Sequence, residues 1–224
     1  MSKKIKLFCF GFGQVAKYFV KNIFKNKINF ELFTTNTKGT QIKELNNIKY
    51  KSYFFYNNTF DPNLLSDLNL ANKVLISIPP KNKEDLVLKN FSKKFEKNKF
   101  DWVTYLSATS VYGDKKGNWV DETSTPNPKS EKGKARLFAE KQWLRLFEQY
   151  KTPIQIFRLS GIYSQENNIL FTSKETLHNG DIIFLNATDH CGCDNPEKWG
   201  QFVTMIDYNN LEEVYERIRE LRAQ

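Results

Sequence analysis

Apolar residues in this chain come in short runs, separated by longer stretches with apolar residues at helical spacing. Residues 5–10 (IKLFCF) form the first run, and Gly11 ends it, as expected of a buried strand. Residues 14–26 follow with Val15, Phe19, Val20, Ile23 and Phe24 on one helical face. Further strand signals fall at 30–34, at the aromatic-rich 50–56, at 73–78 (KVLISI, stopped by Pro79 and Pro80), at 102–106 and at 154–159. Helix signals fall at 84–97 and, longest of all, at 131–150. Beyond residue 180 the pattern weakens, with 181–186 reading as a strand and 211–222 as a closing helix. Residues 114–130, rich in Lys, Gly, Thr and Pro, read as a loop. This alternation predicts an α/β fold with a parallel sheet covered by helices on both faces. It is expected to be one domain over 1–224, in which 164–210 form a small substrate-side appendage.

The turn after the first strand carries a pattern of its own. Gly11-Phe12-Gly13-Gln14-Val15-Ala16 fits GxGxxA where a strand gives way to a helix. Gly11 would permit the tight turn, Gly13 would let the backbone approach a pyrophosphate, and Ala16 would allow close helix–strand packing. The helix start at Gln14 and Val15 would present N–H groups and a partial positive charge to an anion. Placed in the first strand–helix–strand unit, the pattern predicts a Rossmann-type doubly wound domain that binds a dinucleotide. The alternative is a tight turn with no ligand.

The end of the second strand bears on which dinucleotide. Readers of NAD place an Asp or Glu there for the ribose 2′-hydroxyl. Here the segment is Leu32-Phe33-Thr34-Thr35-Asn36-Thr37-Lys38, with no carboxylate. Thr35, Asn36 and Lys38 can donate to a 2′-phosphate, so the expectation is NADP in preference to NAD. The alternative is a plain polar loop.

Residues 105–140 contain the strand end YLSATS, then VYG (Val111 to Gly113), DET-x-x-P from Asp121, and a helix with Ala139-Glu140. Arg158-Leu159-Ser160-Gly161-Ile162-Tyr163 adds an R-x-x-G-I-Y segment. Together these resemble the extended and atypical short-chain dehydrogenase/reductases, which include nucleotide-sugar epimerases and dehydratases. The resemblance implies an NAD(P)-dependent oxidoreductase or epimerase/dehydratase-like enzyme with a reduced C-terminal substrate-binding region. It implies that Ser77 and Pro79 border the nicotinamide ribose side of the cofactor with Ser107 nearby, and that Tyr112, Ser160 and Tyr163 line the substrate cleft. A small-molecule substrate follows, a nucleotide sugar or another carbonyl or hydroxyl compound. Relatives dimerise through helices, so a homodimer is allowed.

The family's proton-transfer set is absent. A Ser or Thr belongs three residues before Val111, and a Tyr and a Lys belong eight and four residues before Glu140. Those positions hold Ala108, Lys132 and Arg136. Ser107, Thr109 and Ser110 flank Ala108 and one of them can supply the missing hydroxyl, Thr109 being the candidate. Arg136 keeps a cation that cannot titrate usefully but can bind ribose hydroxyls or a phosphate. Lys132 can serve as an acid or base only if burial lowers its pKa; otherwise it is an exposed Lys beside Lys129 and Lys134. Tyr112 and Lys116 match YxxxK, but in a loop whose spacing would not hold the two groups together. The rival expectation is therefore a catalytically silent dinucleotide-binding sensor or regulatory module.

Composition narrows the classes. The net charge of +9 over 224 residues comes from Lys scattered on polar faces, without an Arg-rich aromatic stripe, which argues against nucleic acid. No apolar stretch reaches the roughly 20 residues of a membrane span. Gly11, Gly13 and Gln14 interrupt the N-terminal apolar run, so no leader is read there. With three cysteines and no disulfide framework, the expectation is a cytoplasmic protein. His190-Cys191-Gly192-Cys193-Asp194 clusters possible ligands, but a zinc site needs a second pair from elsewhere, so no metal is expected.

Overall fold

The computed structural model describes residues 4–160 apart from 82, 98 and 117. The elements expected at 181–186 and 211–222, the 164–210 segment, the His190–Asp194 cluster and Tyr163 lie outside the described residues. The described residues divide into two compact units. One runs to Ser107 and resumes over Lys134–Phe157; the other comprises Ala108–Gly133 and the residues from Arg158 onward.

The described strands are β1 (Ile5–Phe10), β2 (Phe30–Asn36), β3 (Gln41–Leu45), β4 (Ile48–Tyr56), β5 (Thr59–Phe60), β6 (Lys73–Ile76), β7 (Trp102–Ala108) and β8 (Ile154–Leu159). Helices α1 (Gln14–Lys25), α2 (Leu64–Leu70), α3 (Leu86–Phe95) and α4 (Glu131–Tyr150) accompany them. Among the described residues the sheet order is β3-β4-β2-β1-β6-β7-β8, with β5 paired to β4. Pairings β4–β2, β2–β1, β1–β6 and β6–β7 are parallel. Strand order reverses between β1 and β6, the position where open α/β sheets form a crevice at their carboxyl ends. The expected doubly wound sheet is what the chain forms.

One face of the sheet carries an aromatic core. Phe8 and Phe10 of β1, Tyr53 and Phe55 of β4, and Val103 and Tyr105 of β7 are buried against α2, α3 and α4. Phe91 of α3 lies at its centre, with ring centroids 5.2 Å from Phe10, 5.3 Å from Phe55 and 4.8 Å from Phe60. The opposite parity of β1, Leu7 and Cys9, is equally buried, as are Ala16 and Val20 of α1. Burial from both sides explains why these strands read as apolar runs rather than alternating ones.

The link from β2 to β4 departs from the expected pattern. Residues 37–47 are too few for the usual helical crossover between parallel neighbours. The chain instead passes to the sheet edge, runs back as β3 antiparallel to β4, and turns through Asn46 and Asn47. Both have positive φ, 50° and 64°, as a two-residue hairpin turn requires. Phe12 from the glycine-rich turn packs on Tyr50 of β4, with centroids 5.1 Å apart.

Helix α3 starts later than its apolar period suggests, because Asp85 caps it. The Asp85 carboxylate accepts from Val87 N and Leu88 N, both at 2.9 Å, and from Trp143 Nε1 of α4, also at 2.9 Å. Asp85 is 4% exposed. Burial pushes its carboxyl above the ordinary value, and the hydrogen bonds from Leu88, Trp143 and Val87 offset this only in part. Replacing Asp85 by Ala removes a cap and orphans the indole N–H, and is expected to cost about 2–4 kcal/mol. The sign of the pH effect follows from the raised value. The folded chain holds this proton to higher pH than the unfolded one, so the contribution is complete below the ordinary carboxylate value and is lost as pH rises through the folded value. Chemical denaturation between about pH 4 and 7 should therefore show the wild type losing stability relative to Asp85→Asn as pH rises; a pH-independent difference would contradict this.

Candidate functional site

The candidate site forms where the carboxyl ends of β1, β2 and β6 converge. Gly11 has φ +78°, which a side chain rarely tolerates. A Cβ there would stand 3.0 Å from Ile78 Cγ1 and 3.3 Å from Ile78 N. Its N–H donates to Thr35 Oγ1 at 2.8 Å, and Ser77 N donates to Phe10 O at 2.8 Å. One hydrogen bond to each flanking strand thus holds the turn. Its glycine lets β6 approach closely.

Gly13 is open where Gly11 is crowded. It precedes α1 with φ −79°, and the nearest atom to an added Cβ is Ser77 Oγ at 4.0 Å. The protein itself does not require a glycine there, so the space in front of it is available to a ligand. No side chain caps α1 at Gly13, and no acidic residue stands in the first turn that begins with Gln14 and Val15. The helix dipole favours an anion at this end. The residues present therefore fit a dinucleotide pyrophosphate. Ser107, at the end of β7, is buried with its Oγ lacking a hydrogen-bond partner. Pro79 is exposed.

The three residues expected to receive a 2′-phosphate do different work. Thr35 is 2% exposed and accepts the Gly11 N–H, so it supports the turn from beneath. Asn36 turns its amide inward. Its Nδ2 donates to Ser52 Oγ at 2.8 Å and Gly39 O at 2.9 Å, and its Oδ1 accepts from Lys38 N at 2.8 Å and Gly39 N at 3.1 Å. Thr35 is thus tied to the glycine turn and Asn36 to the strap that follows β2. Thr40 Oγ1 donates to Asp61 at 2.6 Å and accepts from Phe54 N at 3.0 Å. Hydrogen bonds from Thr40 and Asn63 hold Asp61 below the ordinary carboxylate value. Thr37 and Lys38 are left exposed at the top of the strap. An Asn two residues before a Lys-Gly pair is a turn signal, and it predicts the inward amide.

Lys132 and Arg136, the positions read for proton transfer, lie in different surroundings. Lys132 is exposed, so the burial that an acid–base role needs is lacking. Arg136 is half-buried and donates from Nη1 to Leu106 O at 2.9 Å. Burial pushes the Tyr105 hydroxyl up. The carboxylates of Asp85 and Glu140 push the same way, and Arg136 pulls it down. Arg136 is thus anchored on β7 and set among buried polar groups.

The second unit shows what the VYG frame does locally. Thr109 is buried at the start of a single 3₁₀ turn, Thr109–Val111. Tyr112 is 7% exposed, donates from its hydroxyl to Asp121 O at 2.7 Å, and lies under the Arg158 guanidinium 4.7 Å from its ring centre. Asp121 accepts from Thr123 N and Oγ1 and from Ser124 N and Oγ, at 2.7–3.0 Å. Those bonds hold its carboxyl below the ordinary value. A Cβ on Gly113 would meet Asn127 O at 2.0 Å. Tyr112 is therefore a strut of its own loop. Ser160 is half-buried.

No protein-family model matches the sequence, and no curated protein matches it. Solved structures do match. One is a functionally unknown conserved protein from Silicibacter pomeroyi, at 25% identity and TM-score 0.56, covering 71% of this chain and 55% of that one. Another is UDP-glucuronic acid 4-epimerase from Bacillus cereus in complex with NAD, at 19% identity and TM-score 0.57, covering 71% and 57%. A third is dTDP-glucose 4,6-dehydratase from Bacillus anthracis in complex with NAD, at 14% identity and TM-score 0.58, covering 72% and 56%. The fold is thus the Rossmann-type fold of NAD-dependent epimerases and dehydratases, as the resemblance implies. The chain spans a little over half the length of the structures it matches. Among the described residues, no helix is long and apolar enough to cross a membrane.

The two glycines should separate in a stability assay. Gly11→Ala must enter a left-handed conformation against Ile78 and is expected to cost about 2–3 kcal/mol. Gly13→Ala should leave stability unchanged or raise it by up to about 1 kcal/mol. Equal losses at both positions would contradict the geometry.

Proposed function

We propose that this chain binds a nicotinamide dinucleotide across the β1–α1 turn, with NADP(H) preferred over NAD(H). The observation that carries the reading is Gly13: a residue with no steric reason to be glycine, facing open space at an uncapped helix start. Gly11, Gly13 and the first turn of α1 would hold the pyrophosphate, with Thr35 and Ser77 fixing the turn. The bound dinucleotide would supply hydride chemistry. The preference for NADP(H) rests on Lys38, exposed at the end of β2, and on the absence of a carboxylate from residues 32–38. The solved enzymes of this fold named above carry NAD, so the preference is specific to this chain's strap. By the same likeness, the substrate would be a nucleotide sugar or another carbonyl or hydroxyl compound.

A second reading is that the dinucleotide is bound and not used. Ala108 lacks a hydroxyl, Lys132 is exposed, and Arg136 is anchored on the Leu106 carbonyl. The VYG and DET segments serve their own loop through Tyr112, Gly113 and Asp121, so their presence does not require catalysis. A redox sensor or regulatory module would keep this binding site without a proton donor.

Calorimetric titration with NADPH and NADH tests the proposal. NADPH should bind more tightly, Gly13→Ala should weaken both by tenfold or more, and Lys38→Ala should remove about tenfold from NADPH alone, the loss of one charge-assisted contact. NADH binding as tightly as NADPH would overturn the preference, and no binding of either would overturn the site. Turnover of NADPH with a nucleotide-sugar panel separates the enzyme from the silent reading.

A further inference from the structure

The end of the sheet opposite the glycine turn carries a second concave surface. A cavity of about 440 Å³ opens there, within the roughly 300–1,000 Å³ of small-molecule sites. Lys4 and Lys6 line it from the start of β1, Asn69 and Asn72 from around the end of α2, and Lys99 from the segment before β7. Lys6 precedes Gly11 by five residues, about 17 Å along an extended strand. The cavity is therefore separate from the candidate dinucleotide site.

Positive charge collects in this cavity without matching negative charge. The Lys99 ammonium donates to Leu68 O and Asn69 O, each at 3.2 Å, and to Asn69 Oδ1 at 3.3 Å. These neutral oxygens hold the cation at the negative end of α2 and leave its charge in place. Burial lowers the Lys99 pKa, and Lys94 and Lys97 lower it further, so the neighbouring charges that act on it are themselves cations. Among the described residues, Lys4 alone of the three lining lysines has a carboxylate within ion-pair reach, Glu31 at 3.5 Å. Glu31 stands beside Lys6 in the strand register but does not line the cavity. Asn72 is 8% exposed, and its Oδ1 accepts from Lys6 N at 2.8 Å. With that oxygen engaged, its amide N–H groups are what it has left to offer.

We propose that this cavity binds a di- or triphosphate group, held by the Lys6 and Lys99 ammonium groups with Lys4 and the Asn72 amide as further donors. The chemistry of the lining selects the ligand. Lysine side chains only donate, and the Asn72 oxygen is already used, so the ligand must accept. Adjacent cations in a concave surface favour an anion of more than one charge. The volume has room for more than one phosphate. The proposal uses no residue of the dinucleotide site and stands whether or not that reading holds.

Amide NMR of the full chain, titrated with inorganic pyrophosphate at about 0.1 M salt to screen diffuse attraction, tests it. Saturable shifts are expected at Lys6, Asn69, Asn72 and Lys99, and Gly13→Ala should leave them unchanged. By calorimetry, Lys6→Gln should weaken pyrophosphate about tenfold, the loss of one charge-assisted contact. Lys141→Gln, at an exposed lysine outside the cavity, should leave the affinity as it is. ADP binding more tightly than pyrophosphate supports a nucleotide as the source of the phosphates, and ADP binding no more tightly supports the free anion. Absent or unsaturable shifts at the cavity overturn the proposal, as do equal losses from Lys6→Gln and Lys141→Gln, which would mean diffuse attraction. Binding abolished by Gly13→Ala overturns it too, because the anion would then sit at the glycine turn.

Discussion

Everything in the candidate site depends on one close approach. At Gly11 the backbone turns with positive φ against Ile78, while its N–H is held by Thr35 on the neighbouring strand. Three strands are thereby locked together at the one point where the sheet order reverses. Because the turn is so tight, α1 starts at once at Gln14, with no side-chain cap at Gly13. The strain at Gly11 and the openness at Gly13 belong to one device: the first glycine brings the backbone in, and the second leaves room for what binds there.

The second unit separates architecture from catalysis. Tyr112 has its hydroxyl on the Asp121 carbonyl and its ring under Arg158; Gly113 touches the Asn127 carbonyl; Asp121 ties down Thr123 and Ser124. Each contact holds the loop to itself. Such a frame stands on its own contacts, so its presence does not by itself argue for a reaction. Arg136 is tied to β7 and Lys132 is exposed.

Much of the first unit was legible in the sequence because burial on both faces of a parallel sheet leaves apolar runs that no loop would carry. Residues 5–10, 131–150 and 154–159 match the observed elements end for end. What escaped was held by short-range polar geometry. The β3 strand reads as polar because it lies at an edge, although Asn46-Asn47 between QIKEL and IKYKSYFFY is a hairpin signal. Helix α2 is seven residues long, too short for a period to declare itself. The chemistry of Thr35 and Asn36 offers ligand donors, but their hydrogen bonds to Gly11 and Ser52 depend on partners distant in sequence. Asp85 could have been placed, since an Asp just before an apolar helical run is a capping signal.

The central claim is that a dinucleotide phosphate occupies the space in front of Gly13. Backbone amide shifts, followed by NMR as NADPH is added, test it residue by residue. The account predicts saturable shifts concentrated at Gly11–Ala16, with Lys38 responding to NADPH and not to NADH. Shifts that leave the Gly11–Ala16 amides unmoved while appearing elsewhere in the sheet would contradict it.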